Sequence, residues 1–261
     1  MKEISLIVLA LVVCQKATPM EMRPLWTTEA RMVMEGPATA LDLDGQGGMR
    51  LVTAAYDRVI AFAGSGEERW RFPGRGRFQT AVAVWNRQGM EALLYAGDNT
   101  GQFTCLDGTG KTVWQRDLGP VFAASPVLGD LLGNGVTLVL QGDKRGVVHA
   151  LDAATGESAW ERGLEGECAT PTLVDLNEDG QLEVVISTGA GLVYALSAAG
   201  EILWQFDLGA RTPDWATSSP VSFEAQRGGM RVVCGSGDQN LYCLDASGKL
   251  VWKVELESAV A

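Results

Sequence analysis

Short runs of Val, Leu, Ile and Ala recur along this chain, each closed by a turn built from Gly, Asp, Ser or Thr, and that texture predicts many short strands joined by tight turns. One stretch shows the order plainly. The segments "AASPVLGD", "GVTLVLQGD", "GVVHALDAATG" and "ESAWERGL" read as four successive strands between residues 123 and 164. The second is mostly apolar, as suits a strand covered on both faces, and "GDKRG" supplies a tight turn into the third. The third ends in Asp152, Thr155 and Gly156, residue types that close a turn with local side-chain bonds and a backbone tolerant of positive φ. The fourth carries a tryptophan.

The same phrase returns as "RVIAFAGSGEERW", "GQFTCLDGTGKTVW", "GLVYALSAAGEILW" and "NLYCLDASGKLVW". Tryptophans stand at Trp26, Trp70, Trp114, Trp160, Trp204 and Trp252, spaced by 44, 44, 46, 44 and 48 residues. A period in the forties with four short strands predicts an all-β propeller of four-stranded blades, with five repeats at about 36–74, 78–119, 121–165, 167–209 and 215–257. A single blade cannot hide both faces, so each must stack on the next, and a flat indole at a fixed place fills the gap. Burying one removes on the order of 200 Å² from water, worth several kcal/mol before entropy is counted. The segment around Trp26 looks like a fourth strand without its blade, while the fifth repeat already holds Trp252. The expectation is an open ring whose bare edges and faces associate.

Ala150, Asp152, Thr155, Gly156 and Trp160 are spaced A-x-D-x-x-T-G-x-x-x-W and resemble the tryptophan-docking motif of the PQQ-like repeat family. The resemblance covers roughly residues 24 to 257 and implies a β-propeller. That family includes quinoprotein dehydrogenases and noncatalytic proteins such as the outer-membrane assembly lipoprotein of the BAM complex. The motif serves blade packing in both, so it implies a fold and not a quinone. An enzyme reading would need calcium ligands, an aspartate base and cations converging on the axis, and the sequence assembles no such set; PQQ is not expected. Asp143, Lys144 and Arg145 lie in a hairpin turn and read as solvated charges.

The segment "DLNEDGQLEVV" is similar to an FG-GAP or integrin-type propeller loop. Asp175, Asn177, Asp179, Gln181 and Glu183 alternate as oxygen donors around Gly180, the pattern a hard Ca²⁺ ion requires. Structural calcium there stands against an Asx-rich turn held by its own backbone bonds. Related loops keep less of the pattern: Asp42 and Asp44 precede Arg50 in one, Asp130 and Asn134 remain in another.

Charge and cysteine narrow the choice of partner. A net charge of −11 disfavours nucleic acid and anionic lipid. The first 19 residues resemble a short secretory signal, with "LVVC" at Cys14 similar to a lipoprotein acylation box except that Val13 stands where Gly, Ala or Ser belongs. This places the chain outside the cytoplasm, in periplasm or medium, with membrane contact only through an N-terminal anchor. The hairpin "VVCGSGDQNLYC" is expected to bring Cys234 opposite Cys243, either as a disulfide or, the favoured reading, as two small buried residues. His149 is the sole histidine and shares a strand position with Thr104, Tyr194 and Tyr242, which supports neither a metal centre nor a catalytic triad. Trp85 and Trp215 fall outside the period and are candidate contacts for a partner or loop anchors. The reading is a noncatalytic extracytoplasmic propeller binding a protein or small ligand. The alternatives are a PQQ-dependent dehydrogenase and a carbohydrate or cell-surface adhesion module.

Overall fold

A computed structural model describes residues 37–42, 49–87, 90–121, 124–209, 218–226 and 228–256. They form five four-stranded antiparallel sheets, each with its strands in chain order, and no sheet closes on itself. Blade 1 holds β1 (Ala38–Asp42), β2 (Met49–Ala55), β3 (Arg58–Ala63) and β4 (Glu68–Pro73). Blade 2 holds β5 (Ala83–Trp85), β6 (Leu93–Gly97), β7 (Gln102–Asp107) and β8 (Thr112–Asp117). In blade 3 the strands are β9 (Val127–Gly129), β10 (Leu138–Gly142), β11 (Val147–Asp152) and β12 (Ser158–Gly163). Blade 4 comprises β13 (Thr172–Val174), β14 (Glu183–Ser187), β15 (Leu192–Leu196) and β16 (Ile202–Asp207), and blade 5 β17 (Val221–Glu224), β18 (Met230–Gly235), β19 (Asn240–Asp245) and β20 (Leu250–Glu255). The first strands touch in series, β5 on β9, β9 on β13 and β13 on β17, so the sheets fan about a common axis.

Composition follows position. Second strands β6, β10 and β14 are buried at every residue because a blade lies on either side. Fourth strands β4, β12 and β16 alternate exposed and half-buried, as edge strands with one covered face should. Each third-to-fourth pairing slips by one residue just past a small residue: Ala61, Cys105, Ala150, Ala195 or Cys243, each paired with its blade's tryptophan. That bulge turns the indole onto the face that meets the next blade.

A second set of cross-blade bonds runs near the axis. Thr39 Oγ1 donates to Val82 O at 3.0 Å, Ser125 Oγ accepts from Ala81 N at 3.1 Å, Thr170 Oγ1 accepts from Ser125 N at 2.8 Å, and Thr172 Oγ1 donates to Pro220 O at 2.5 Å. Every described blade is thereby tied to its neighbour at the inner end.

The cysteine pairing differs from expectation. In the β18–β19 register Cys234 faces Tyr242 and Cys243 faces Val233, so the two thiols point to opposite faces of the sheet. Both are free and buried. The hairpin loop is one residue out of step with the symmetric turn that would have aligned them.

Candidate functional site

The tryptophans build one repeated site. Trp70 Nε1 donates to Gly108 O of blade 2 at 2.9 Å, Trp114 to Ala153 O of blade 3 at 3.1 Å, Trp160 to Ala198 O of blade 4 at 3.0 Å, and Trp204 to Ala246 O of blade 5 at 3.0 Å. Beneath each ring lies a turn glycine with positive φ: Gly110, Gly156, Gly200 and Gly248. A Cβ on any of them would come within 2.6 Å of the indole. Most of these turns are shaped by an aspartate: Asp152 Oδ1 accepts the amides of Ala154 and Thr155 at 2.9 and 2.8 Å, and Asp107 accepts those of Thr109 and Lys111 at 2.8 and 3.0 Å, while Ser197 holds that place before Gly200 and accepts the Glu201 amide at 3.1 Å. In two blades an arginine adds a clasp, with Arg116 Nε donating to Gly156 O at 2.7 Å and Arg162 Nε to Gly200 O at 2.6 Å. Trp252, the fifth of the described set, meets no following blade among the described residues and is 39% exposed. Trp26 lies outside the described residues.

The acidic loop between β13 and β14 brings its predicted donors together, with their oxygens already engaged. Asp175 accepts the amides of Asp179 and Gly180 at 3.1 and 2.8 Å, and Asn177 Oδ1 accepts that of Asp179 at 3.0 Å. Asp179 accepts the Gln181 amide at 2.8 Å and the Asn177 side-chain amide at 3.0 Å. Glu183 is buried and accepts the Leu176 amide at 2.8 Å; burial first, then the nearby Asp179 and Asp175, push its carboxyl above the usual range. Among the described residues no three His, Cys, Asp or Glu side chains converge as a metal set. As arranged, the loop is held by bonds from its own amides, and an ion there would share or replace them.

Asp143 corrects the reading of its hairpin. It is 1% exposed, not solvated, because the turn folds back over it. Its carboxylate accepts the amides of Arg145 and Val147, both at 2.8 Å, and the Arg145 guanidinium at 2.9 Å. His149, 3% exposed, lies between two acids, with Nε2 3.3 Å from Asp143 Oδ2 and Nδ1 3.0 Å from Glu161 Oε1. Burial pulls the imidazole's pKa down, but the bonds to Asp143 and Glu161 outweigh it and hold the value above the usual one. Burial likewise opposes ionisation of Asp143, yet the bonds from His149, the Val147 amide and Arg145 keep its carboxyl below the usual range. Both ring nitrogens are occupied, so the arrangement is an ion clamp rather than a general base. The sequence shows only a histidine two residues into a strand that follows an aspartate-led turn, which does not reveal that the turn buries the aspartate.

Trp85 sits on β5, half-buried against the cluster of Leu93, Tyr95, Phe103 and Val139, with Arg87 5.3 Å above its ring. Its place is in blade packing. Trp215 lies outside the described residues. The thiols of Cys105, Cys168 and Cys234 are pushed by burial up to about 12, which makes them poor nucleophiles.

Comparison with known proteins agrees with this architecture. Residues 138–259 match a family model described as the lambda-carrageenase beta-propeller domain. Over 122 residues the chain is 34% identical to the outer membrane protein assembly factor BamB of Yersinia pestis, covering 44% of this chain and 30% of that protein. The chain therefore spans less than a third of that curated relative. BamB from Moraxella catarrhalis superposes with a TM-score of 0.52 at 20% identity, covering 91% of this chain and 81% of that one. The quinohemoprotein alcohol dehydrogenase from Comamonas testosteroni superposes with a TM-score of 0.64 at 16% identity, covering 86% and 43%. At these identities the solved structures establish the fold: an all-β propeller of four-stranded blades.

Proposed function

We propose that this chain is a noncatalytic propeller acting outside the cytoplasm as a scaffold for a protein partner, in the manner of an outer membrane protein assembly factor. The 34% identity to such a factor carries the reading. The structure supports it through chemistry: Trp70, Trp114, Trp160 and Trp204 are each committed to holding one blade on the next, and the buried thiols and the doubly bonded imidazole offer no free reacting group. Its N-terminal segment would export it and, if acylated at Cys14, tether it. Expressed with its leader in a Gram-negative host lacking its own factor of this kind, the full chain should restore outer membrane protein levels. A chain that is exported and folded yet without effect would overturn the reading. Stoichiometric PQQ binding with dye reduction by alcohols or sugars would install the dehydrogenase instead.

A carbohydrate-binding role is the second reading, favoured by the family match over residues 138–259. A glycan array separates the two: saturable, glycan-specific binding supports it, and a blank array removes it.

A further inference from the structure

A belt of turns crosses one end of blades 1 to 3, and backbone hydrogen bonds join it from blade to blade. In blade 1 the turn between the second and third strands presents Tyr56, whose carbonyl accepts the Phe78 amide at 2.7 Å. The link leaving that blade presents Arg77, whose carbonyl accepts the Asn99 amide of the corresponding turn in blade 2 at 2.9 Å. Asp98 O then accepts the Val121 amide at 3.2 Å, and Pro120 O accepts the Lys144 amide of blade 3 at 2.8 Å. From Tyr56 to Arg145 the surface is one continuous run of turns.

On a molecule of net charge −11, this belt shows cations to solvent and turns its acids away. Asp98 and Asp143, which open two of the turns, are 0% and 1% exposed and are spent on amides of Gly76, Thr100, Arg145 and Val147. The exposed acids Asp57 and Asp117 are each held by an arginine, Arg58 at 2.8 Å and Arg75 at 3.0 Å. Arg145 keeps its side chain 60% exposed above the buried Asp143. Arg77 has no carboxylate among the described residues: its guanidinium lies 4.4 Å over the Tyr56 ring and gives one of its five N–H groups to the Tyr56 hydroxyl at 2.7 Å. Tyr56 takes a φ of +54°, a left-handed conformation that is costly for a side chain bearing a Cβ. What that tyrosine does there is fix the position of a cation.

We propose that this belt docks a short acidic segment of a protein partner, with a carboxylate taken up by the Arg77 guanidinium and others along Arg75 and Arg145. A guanidinium already held on an aromatic face loses little freedom when it forks onto a carboxylate. Charge over the rest of the chain decides the size of the partner. Residues 49–87 carry seven arginines and three acids, whereas residues 124–209 carry thirteen acids and three bases, and the link beyond the belt is acidic from Glu165. An anionic membrane, nucleic acid or long polyanion would extend over blades 3 and 4 and be repelled there. A segment of a few residues meets only the belt, because charges further than about 8 Å away are largely screened at physiological salt. That the partner is a protein rests on the scaffold reading above; the charge pattern supplies where it is held and by what chemistry.

Fluorescence anisotropy of the full chain with a fluorescein-labelled peptide of four glutamates alternating with glycine tests it. The wild type should bind saturably, and a peptide with glutamine in place of each glutamate should not. The double variant Arg75→Gln with Arg77→Gln should keep its circular dichroism and bind at least about fivefold more weakly, the loss of charge-assisted bonds. Arg87→Gln, which alters the arginine stacked on Trp85 beyond the first strand of blade 2, should bind as the wild type does. Should the double variant not fold, phenylglyoxal labelling of the wild type read by mass spectrometry gives the same answer: the peptide should shield Arg75 and Arg77 but not Arg87. No saturation by about 1 mM, equal binding by the glutamine peptide, or unchanged binding or labelling at Arg75 and Arg77 would each overturn the proposal. So would phosphatidylglycerol vesicles or heparin that displace the peptide at lower concentrations than the unlabelled peptide does, since the belt would then serve an extended polyanion. Restoration of outer membrane proteins with no peptide binding would fault the belt alone, and peptide binding without restoration would fault the assembly-factor reading alone.

Discussion

Gly156 is required by what lies over it. Its φ is +70°, and a Cβ there would stand 2.6 Å from the Trp114 ring. Gly156→Ala must therefore strain the turn and displace an indole that is 8% exposed, which should cost about 2–4 kcal/mol in urea unfolding. A loss below about 1 kcal/mol would mean the turn and ring are not coupled. His149 makes a separate prediction. Its folded pKa lies above 6.5, so its stabilising contribution is complete below pH 6.5 and is lost as pH rises through the folded value. Asp143 has the opposite sign: held below 3.8, it stabilises above that pH and fails as pH falls through its lowered value. The clamp, which also faces Arg145, Glu161 and Cys168, is strongest between these limits. The chain has one histidine, so its imidazole resonances in NMR are unambiguous; a midpoint above 6.5 is expected, and one at or below 6.5 would refute the clamp. Neither partner was legible as more than a strand and a turn residue. Burial of an aspartate depends on how a loop folds over it, which spacing does not encode.

At the level of strands and turns, the same substitution should have different costs in different blades. Trp160→Ala removes an indole docked on Gly200 and bonded to Ala198 O, and should cost about 3–5 kcal/mol. Trp252→Ala removes one that is 39% exposed and should cost less than about 1 kcal/mol. Equal losses would show that the rings act within their own sheets and not between blades. The period of the tryptophans and the Asp-led turns made the blades and their docking legible because both depend on short-range patterns repeated at fixed spacing. The inner ladder was missed, although Ser125 and Thr170 each precede a proline, a recurrence visible in the chain. A hydroxyl's partner 44 or 45 residues away is set by the stacking of blades, not by its own strand. The loop of Asp175 to Glu183 is ambiguous in sequence for a physical reason: the same alternating oxygens can turn outward to an ion or inward to amides. Its inward bonds predict that chelation with EDTA leaves the melting temperature unchanged. A rise with added Ca²⁺ that Asp179→Ala abolishes would show that the loop re-forms around the ion.

For the molecule as a whole, stacking makes stability a property of position in the series. A blade with one covered face among the described residues should open at lower free energy than one with two. Blade 3 is covered on both sides, with Trp114 docked into it and Trp160 docked out of it. Blade 5 receives Trp204 on one side and leaves Phe223, Trp252 and Val254 bare on the other. In dilute solution, hydrogen exchange of β18 and β19 should therefore be faster than that of β10 and β11, although all four are interior strands of their sheets with full ladders. Uniform exchange across the five sheets would indicate that the arc unfolds as one unit, and with it the view that each tryptophan holds one blade to the next would need to be replaced by a single shared core.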